Sequence, residues 1–173
     1  MSDLEARLED LERRLRAAED RLAIHDLIVR YGLAVDIGDA QGVASVFEPD
    51  AEFDVGGGSA WRGSQSVVYR GRGQIMQQLV QGEGHQSMLP DCAHTIGPVV
   101  IEVEGDRALA TGYSRIYHRK GKHTPQDHID LFRIGFNRWE LARQPDESWL
   151  IARRMSRALG DLEAHELFAR ALG

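Results

Sequence analysis

Tyr31 and Asp36 stand at the end of the apolar run Ile24 to Ile37, and far along the chain His94 opens a second apolar run that continues to Val100. Histidine titrates near neutrality, so a neutral imidazole can take a proton from carbon or pass one to a leaving hydroxyl. An aspartate on the other ring nitrogen fixes the tautomer and stabilises the imidazolium that forms. A fold that brought Asp36 to His94 inside an apolar cavity would make a general acid/base pair, worth roughly two to four powers of ten in rate. Tyr31 would offer its hydroxyl to a substrate oxygen. Each residue also has a plainer reading: His94 as a buried histidine satisfied by backbone, Asp36 as a turn residue ahead of Gly38, and Tyr31 as a core tyrosine with a polar end.

Other chemistry-bearing residues point less clearly. His25 falls near the end of a heptad-like stripe and reads as an interface or surface residue, while His85 and His165 read as exposed. His118, His123 and His128 gather around the polar stretch Lys120 to Gln126. His123 and His128 with Asp127 and Asp130 match no established metal-ligand spacing, so no metal is expected. Cys92 lies two residues before His94 and can share its side of a strand, but nothing marks it as an activated thiol. Gly71-Arg72-Gly73 is not a phosphate loop, because it lacks a preceding strand and the Lys-Ser/Thr pair.

The elements that must position these residues follow from periodicity. Leu4, Leu8, Leu11, Leu15, Ala18 and Leu22 recur at spacings of four and three, with Glu, Asp and Arg between them. This is the seam of a heptad repeat and predicts either an oligomerising helix or an amphipathic helix lying on its own domain. No proline or glycine interrupts it before Gly32, so the helix should continue into the domain and end at Gly38-Asp39, with Asp39 capping a short helix through Phe47. Glu48-Pro49-Asp50 predicts a break before a brief strand, Ala51 to Val55. Gly56-Gly57-Gly58-Ser59 with Trp61 reads as a rim loop. A third helix is expected from Gly73 to about Gln81. Strands Ala93–Val103 and Ala108–Tyr117 flank Gly105-Asp106 as a hairpin, with Pro98 marking a bulge or an edge. Strands 129–143 and 148–157 make a second hairpin, and a helix over 162–172 closes the chain. Helices first and antiparallel strands afterwards indicate an α+β fold.

Bulk properties narrow the function classes. The chain has 173 residues, 42% hydrophobic and 28% charged, enough for one domain with a core and an appendage. A net charge of -6 argues against a nucleic-acid partner. The single cysteine excludes an internal disulfide framework and fits a reducing cytoplasm. No apolar run is long enough for a membrane span, and the acidic N-terminus is unlike a signal peptide.

Several motifs occur in a telling order: Ile28-x-x-Tyr31-x-x-Ala34-x-Asp36-x-Gly38-Asp39, then Val46-Phe47-x-x-Asp50-Ala51-x-Phe53, then Gly71-Arg72-Gly73-x-Ile75. They continue with His94-x-x-Gly97-Pro98-x-Val100, Gly105-Asp106-Arg107-Ala108 and Trp149-x-Ile151-x-x-Arg154. In this the chain resembles the SnoaL-like branch of the NTF2-like superfamily, which includes scytalone dehydratase. The resemblance implies a cone-shaped α+β barrel, a curved antiparallel sheet whose helices enclose an apolar pocket. It implies a group of dehydratases, dehydrohalogenases, polyketide cyclases and isomerases that usually work without metal or organic cofactor. The aspartate–histidine pair of the dehydratase-like members maps to Asp36 and His94, and a pocket tyrosine to Tyr31. A wall arginine maps to Arg154, although strand parity leaves Arg153 open. A second histidine, as scytalone dehydratase has, would be His118 or His128.

Taken together, the expectation is a heptad-patterned helix over residues 1–22 and a SnoaL-like domain over 23–173. The expected activity is that of a cofactor-independent lyase or isomerase acting on a small hydrophobic oxygenated ring compound. His94 would be the base and acid, Asp36 its orienting carboxylate and Tyr31 a polariser. Arg154, Phe53, Trp61, Met76, Tyr113 and Phe132 are the candidate wall residues. A non-catalytic binding or assembly module and a polyketide-cyclase-like enzyme are the alternatives. Self-association as a dimer or trimer is expected from the heptad stripe.

Overall fold

The computed structural model describes residues 3–56, 66–121 and 124–169. The chain runs α1 (Asp3–Asp36), α2 (Ala40–Ser45), β1 (Phe47–Gly56), β2 (Val67–Arg70), α3 (Arg72–Leu79), α4 (Glu83–Gln86), β3 (Cys92–Glu104), β4 (Arg107–Lys120), β5 (His128–Arg143), β6 (Trp149–Ala158) and α5 (Leu162–Ala169). The strands form one curved, unclosed sheet in the order β2-β1-β6-β5-β4-β3. Every pairing is antiparallel except β1 with β6, which is parallel.

Helix α1 is continuous across residue 22, and its two halves have different surroundings. Leu4, Leu8, Leu11, Leu15 and Leu22 are exposed, whereas Ile24, Ile28, Tyr31 and Val35 are buried on one helical face against the sheet. Burial of Ile24, Ile28 and Val35 contributes roughly 1.5–3 kcal/mol apiece. Partners on the sheet side include Trp139, Leu141, Trp149 and Ile151, all buried. Asp20 marks the point where the helix meets the body. Its carboxylate accepts from Arg143 Nη1 and Nη2 at 2.8 Å each and from Trp149 Nε1 at 3.1 Å. The 22/23 division drawn from the heptad pattern therefore falls inside one helix, two residues past this anchor.

Gly38, with φ of 69°, turns the chain out of α1, and Gly38 N and Asp39 N bond back to the carbonyls of Val35 and Ala34. Asp39 then caps α2 by accepting from Gly42 N at 2.9 Å. That helix stops short of Phe47, because Phe47 pairs with Ile151 on β6 and is fully buried there. The break expected at Glu48-Pro49-Asp50 is instead a register shift within β1, between Phe47 and Glu52. Proline cannot donate to a ladder, and an irregularity of this kind accommodates it. On the edge strand β3 the register likewise shifts between Ile96 and Val99, around Pro98.

Two short elements, β2 and α4, were not anticipated. Val67-Val68-Tyr69 is a β-prone run, but it follows the glycine-rich segment too closely to stand out. Helix α4 has four residues including Gly84, too few for periodicity to register. The loop positions Gly57, Gly58, Ser59 and Trp61, together with His123 and the last residues of the expected C-terminal helix, lie outside the described residues. Among the described residues, no helix is long and apolar enough to cross a membrane.

Candidate active site

The last turn of α1 lies across the start of β3, and the contact is close because Gly32 has no side chain. A Cβ at that position would sit 3.0 Å from the carbonyl oxygen of His94. Asp36 is one helical turn further on. Its Oδ1 lies 2.6 Å from His94 Nδ1, and both carboxylate oxygens accept from the His94 backbone amide, at 2.9 and 2.8 Å. Both side chains are largely withdrawn from solvent. A carboxylate can only accept, so in the neutral imidazole Nδ1 carries the proton and Nε2 the lone pair. His94 lines a cavity of about 270 Å³. The two residues from distant parts of the sequence thus meet at one pocket.

Arg154 settles on the concave side of the sheet. It pairs across strands with Phe53 on β1 and Trp139 on β5. Its guanidinium lies 4.6 Å from the ring centroids of both Tyr31 and Phe53 and 5.4 Å from that of Trp139. Nε and Nη2 donate to Asn137 Oδ1 at 3.2 and 2.8 Å, while Nη1 has no hydrogen-bond partner. Burial pushes the pKa of Arg154 down, against an opposing pull from Tyr31. A buried cation held by a neutral amide and aromatic faces is suited to stabilise negative charge on a bound molecule. Arg153 points the other way, toward Glu52 and Asp54 on the outer side.

Of the remaining wall candidates, Phe53 and Phe132 line the cavity along with Tyr31. Met76 and Tyr113 do not. Met76 sits on α3 outside the cavity lining, because the helix turns Gln78 and Leu79 toward it instead. Tyr113 stacks edge-on against Phe136 and Phe168, with ring centroids 5.0 and 4.9 Å away, under α5. It alternates with Ser114, which faces the pocket, so strand parity excludes it. Trp61 lies outside the described residues. Neither second-histidine candidate lines the cavity: His128 is exposed beside Asp130, and His118 packs edge-on to Phe132, 6.1 Å between centroids.

The histidine that does line the cavity is His85 on α4, which sequence reasoning left as a surface residue. It is 8% exposed, and its ring centroid lies 5.8 Å from that of His94. Neither ring nitrogen has a hydrogen-bond partner. The Val80 carbonyl accepts from Gln86 Nε2 and acts on the charge of His85, but without hydrogen-bonding geometry to the ring. Burial pushes the pKa of His85 down, and the neighbouring His94 adds to this. Only the Glu83-Gly84-His85 turn signal could have hinted at this placement. Cys92 is buried on the His94 side of β3 and is a free thiol whose pKa burial raises.

The fold and this pocket define the NTF2-like class: a small α+β domain whose curved, unclosed sheet and helices surround a cavity. The model of the SnoaL-like domain matches residues 16–155, so the chain belongs to the SnoaL-like family. Among solved structures it is similar to an NTF2-like protein with a cystatin-like fold from Novosphingobium aromaticivorans, with 33% identity and a TM-score of 0.78. That match covers 92% of this chain and 96% of the other. It is also similar to hexachlorocyclohexane dehydrochlorinase LinA-type3 from Novosphingobium barchaimii, at 18% identity over 84% of this chain and 90% of that one, TM-score 0.64. A protein of unknown function with a cystatin-like fold from Nostoc punctiforme gives 17% identity, 84% and 95% coverage and a TM-score of 0.63. At these last identities the likeness is one of fold. No curated protein matches the chain.

Proposed function

We propose that the protein is a cofactor-independent lyase of the dehydratase type, or an isomerase, acting on a small hydrophobic oxygenated ring compound. The observation that carries this reading is the 2.6 Å contact of Asp36 with His94 Nδ1 at a cavity holding a buried cation. In this reaction His94 Nε2 takes a proton from a carbon next to a carbonyl. The electron pair moves onto the carbonyl oxygen, where Arg154 and Tyr31 balance the charge. The imidazolium, held by Asp36, then returns the proton. Delivered to a β-hydroxyl it releases water and leaves a double bond, and delivered to another carbon it completes an isomerisation. Phe53 and Phe132 form apolar walls, and Trp61 remains a wall candidate. A polyketide-cyclase-like reaction would use the same base.

The test is turnover of a panel of hydroxylated polycyclic and steroid-like ketones by wild type and His94→Ala, in chelator-treated buffer. Loss of turnover in the variant with the pocket ligand still bound supports the reading. Full turnover by His94→Ala would overturn it. Binding without turnover by the wild-type protein would favour a non-catalytic small-molecule-binding module.

The same proposal extends to assembly and location. The exposed leucine stripe of α1 pairs with that of a second copy, as a dimer or trimer, in a reducing cytoplasm. A net charge of -6 disfavours a nucleic-acid partner.

A further inference from the structure

We propose that His85, Cys92 and His94 form a binding site for a thiophilic divalent transition metal of the zinc class. One ligand atom from each residue lies within 4.8 Å of the other two. Four-coordinate zinc with bonds of about 2.0–2.3 Å holds its donors about 3.3–3.8 Å apart, so closing the site takes side-chain movements of about an ångström. Two nitrogens and one sulfur with the fourth position open to a cavity are the donor set of an open zinc centre.

Two further observations point to a ligand here. His85 is 8% exposed, and neither ring nitrogen makes a hydrogen bond of normal geometry, the Val80 carbonyl included, although the ring lines the cavity. A buried imidazole without a hydrogen bond carries a desolvation cost that a metal bond would remove. His94, for its part, already has the arrangement of a metal-ligating histidine, with Nδ1 on the Asp36 carboxylate and Nε2 open. Asp36 also adds a negative charge beside the cluster, which a divalent cation would offset together with the Cys92 thiolate. Binding releases the thiol proton to solvent. Sequence spacing conceals the site, because His85 comes from a four-residue helix and Cys92-x-His94 from a strand.

The site stands on this geometry alone, and only its consequence for turnover rests on the proposed Asp36–His94 mechanism. A metal on His94 Nε2 occupies the lone pair that would abstract the proton, so the metal-loaded protein is the inactive form.

The experiment is titration of the chelator-stripped full chain with Co²⁺, followed by competition with Zn²⁺. One equivalent of Co²⁺ should bring up a thiolate-to-cobalt charge-transfer band that Zn²⁺ abolishes. Cys92 is the only cysteine in the chain, so such a band in the wild type assigns its ligand without any variant. Cys92→Ser should lose the band, His85→Gln should bind at least tenfold more weakly, and His118→Gln should bind as wild type. Failure of the wild type to give the band with Co²⁺ in excess would overturn the site. Unchanged affinity in a folded His85→Gln would do the same. The readout does not involve turnover, so a failed metal titration leaves the His94→Ala assay intact, and the reverse holds too.

Discussion

At His94 the Asp36 carboxylate takes both the backbone amide and Nδ1, and an Asp36→Asn exchange separates these two duties. The asparagine oxygen can still accept from the amide. Its NH₂ group, however, can pair with an Nδ1 lone pair and so favour the tautomer with the proton on Nε2, where no base remains. We expect kcat to fall by about 10³–10⁴ in Asp36→Asn with KM little changed, comparable to His94→Ala. If the proposed pair acts as a unit, the double variant should be no worse than either single one. Steady-state kinetics on one turned-over substrate check this, and additive losses would mean that the residues act separately. The pair was legible in sequence because residue type, position at an element end and the order of surrounding motifs agreed. Arg154 is told from Arg153 only by the β1–β6 register, and Tyr113 is excluded only by the β4 parity that turns Ser114 to the pocket. His85 was invisible, since burial of a short helix depends on tertiary packing that no local pattern encodes.

At the scale of elements, the site depends on how closely α1 approaches β3. Gly32→Val would drive side-chain atoms into the His94 carbonyl and Ile96, and a backbone atom cannot give way without separating helix from strand. Displacing Asp36 from His94 by about 1 Å is expected to cost on the order of a hundredfold in kcat. Gly73→Ala, on α3 with open space around it, should leave kcat unchanged and serves as the control. Asp20 fixes the other end of the docked helix. The hydrogen bond from Arg143 holds its carboxyl below the usual range, so the folded-state pKa lies under the unfolded value of about 3.9. The stabilisation is therefore fully present above that value and is lost as pH falls below it through the lower folded-state pKa. Asp20→Asn should unfold roughly 1 kcal/mol more easily at pH 7, because Arg143 loses its bidentate partner while keeping Asp106 and Glu147. In urea melts the gap to wild type should narrow below about pH 4. A constant gap would show that charge pairing is not what anchors α1. The long helices and both hairpins were legible from period and turn chemistry. The bulged start of β1 was not, because proline signalled a break where the long-range pairing with β6 prevailed.

For the whole molecule, the open question is what covers the leucines that α1 presents beyond the body. Residues 3–16 extend the helix by roughly 20 Å, and Leu4, Leu8, Leu11 and Leu15 are each at least half exposed. A second copy fits that stripe: the spacing of four and three is self-complementary, and the flanking Glu, Asp and Arg offer pairs of both signs. Truncation is a poor probe, because removing residues through Asp20 would also strip the Arg143 and Trp149 anchor. Substituting Leu8, Leu11 and Leu15 together by lysine leaves that anchor in place and brings three like charges onto the seam of each copy. If the stripe holds the assembly, light-scattering mass should fall from a dimer or trimer to the monomer, while the unfolding transition of the domain and binding in the cavity remain as in wild type. An unchanged oligomeric mass would assign the assembly to the sheet instead. A monomeric wild type would show that the stripe serves some other purpose than pairing.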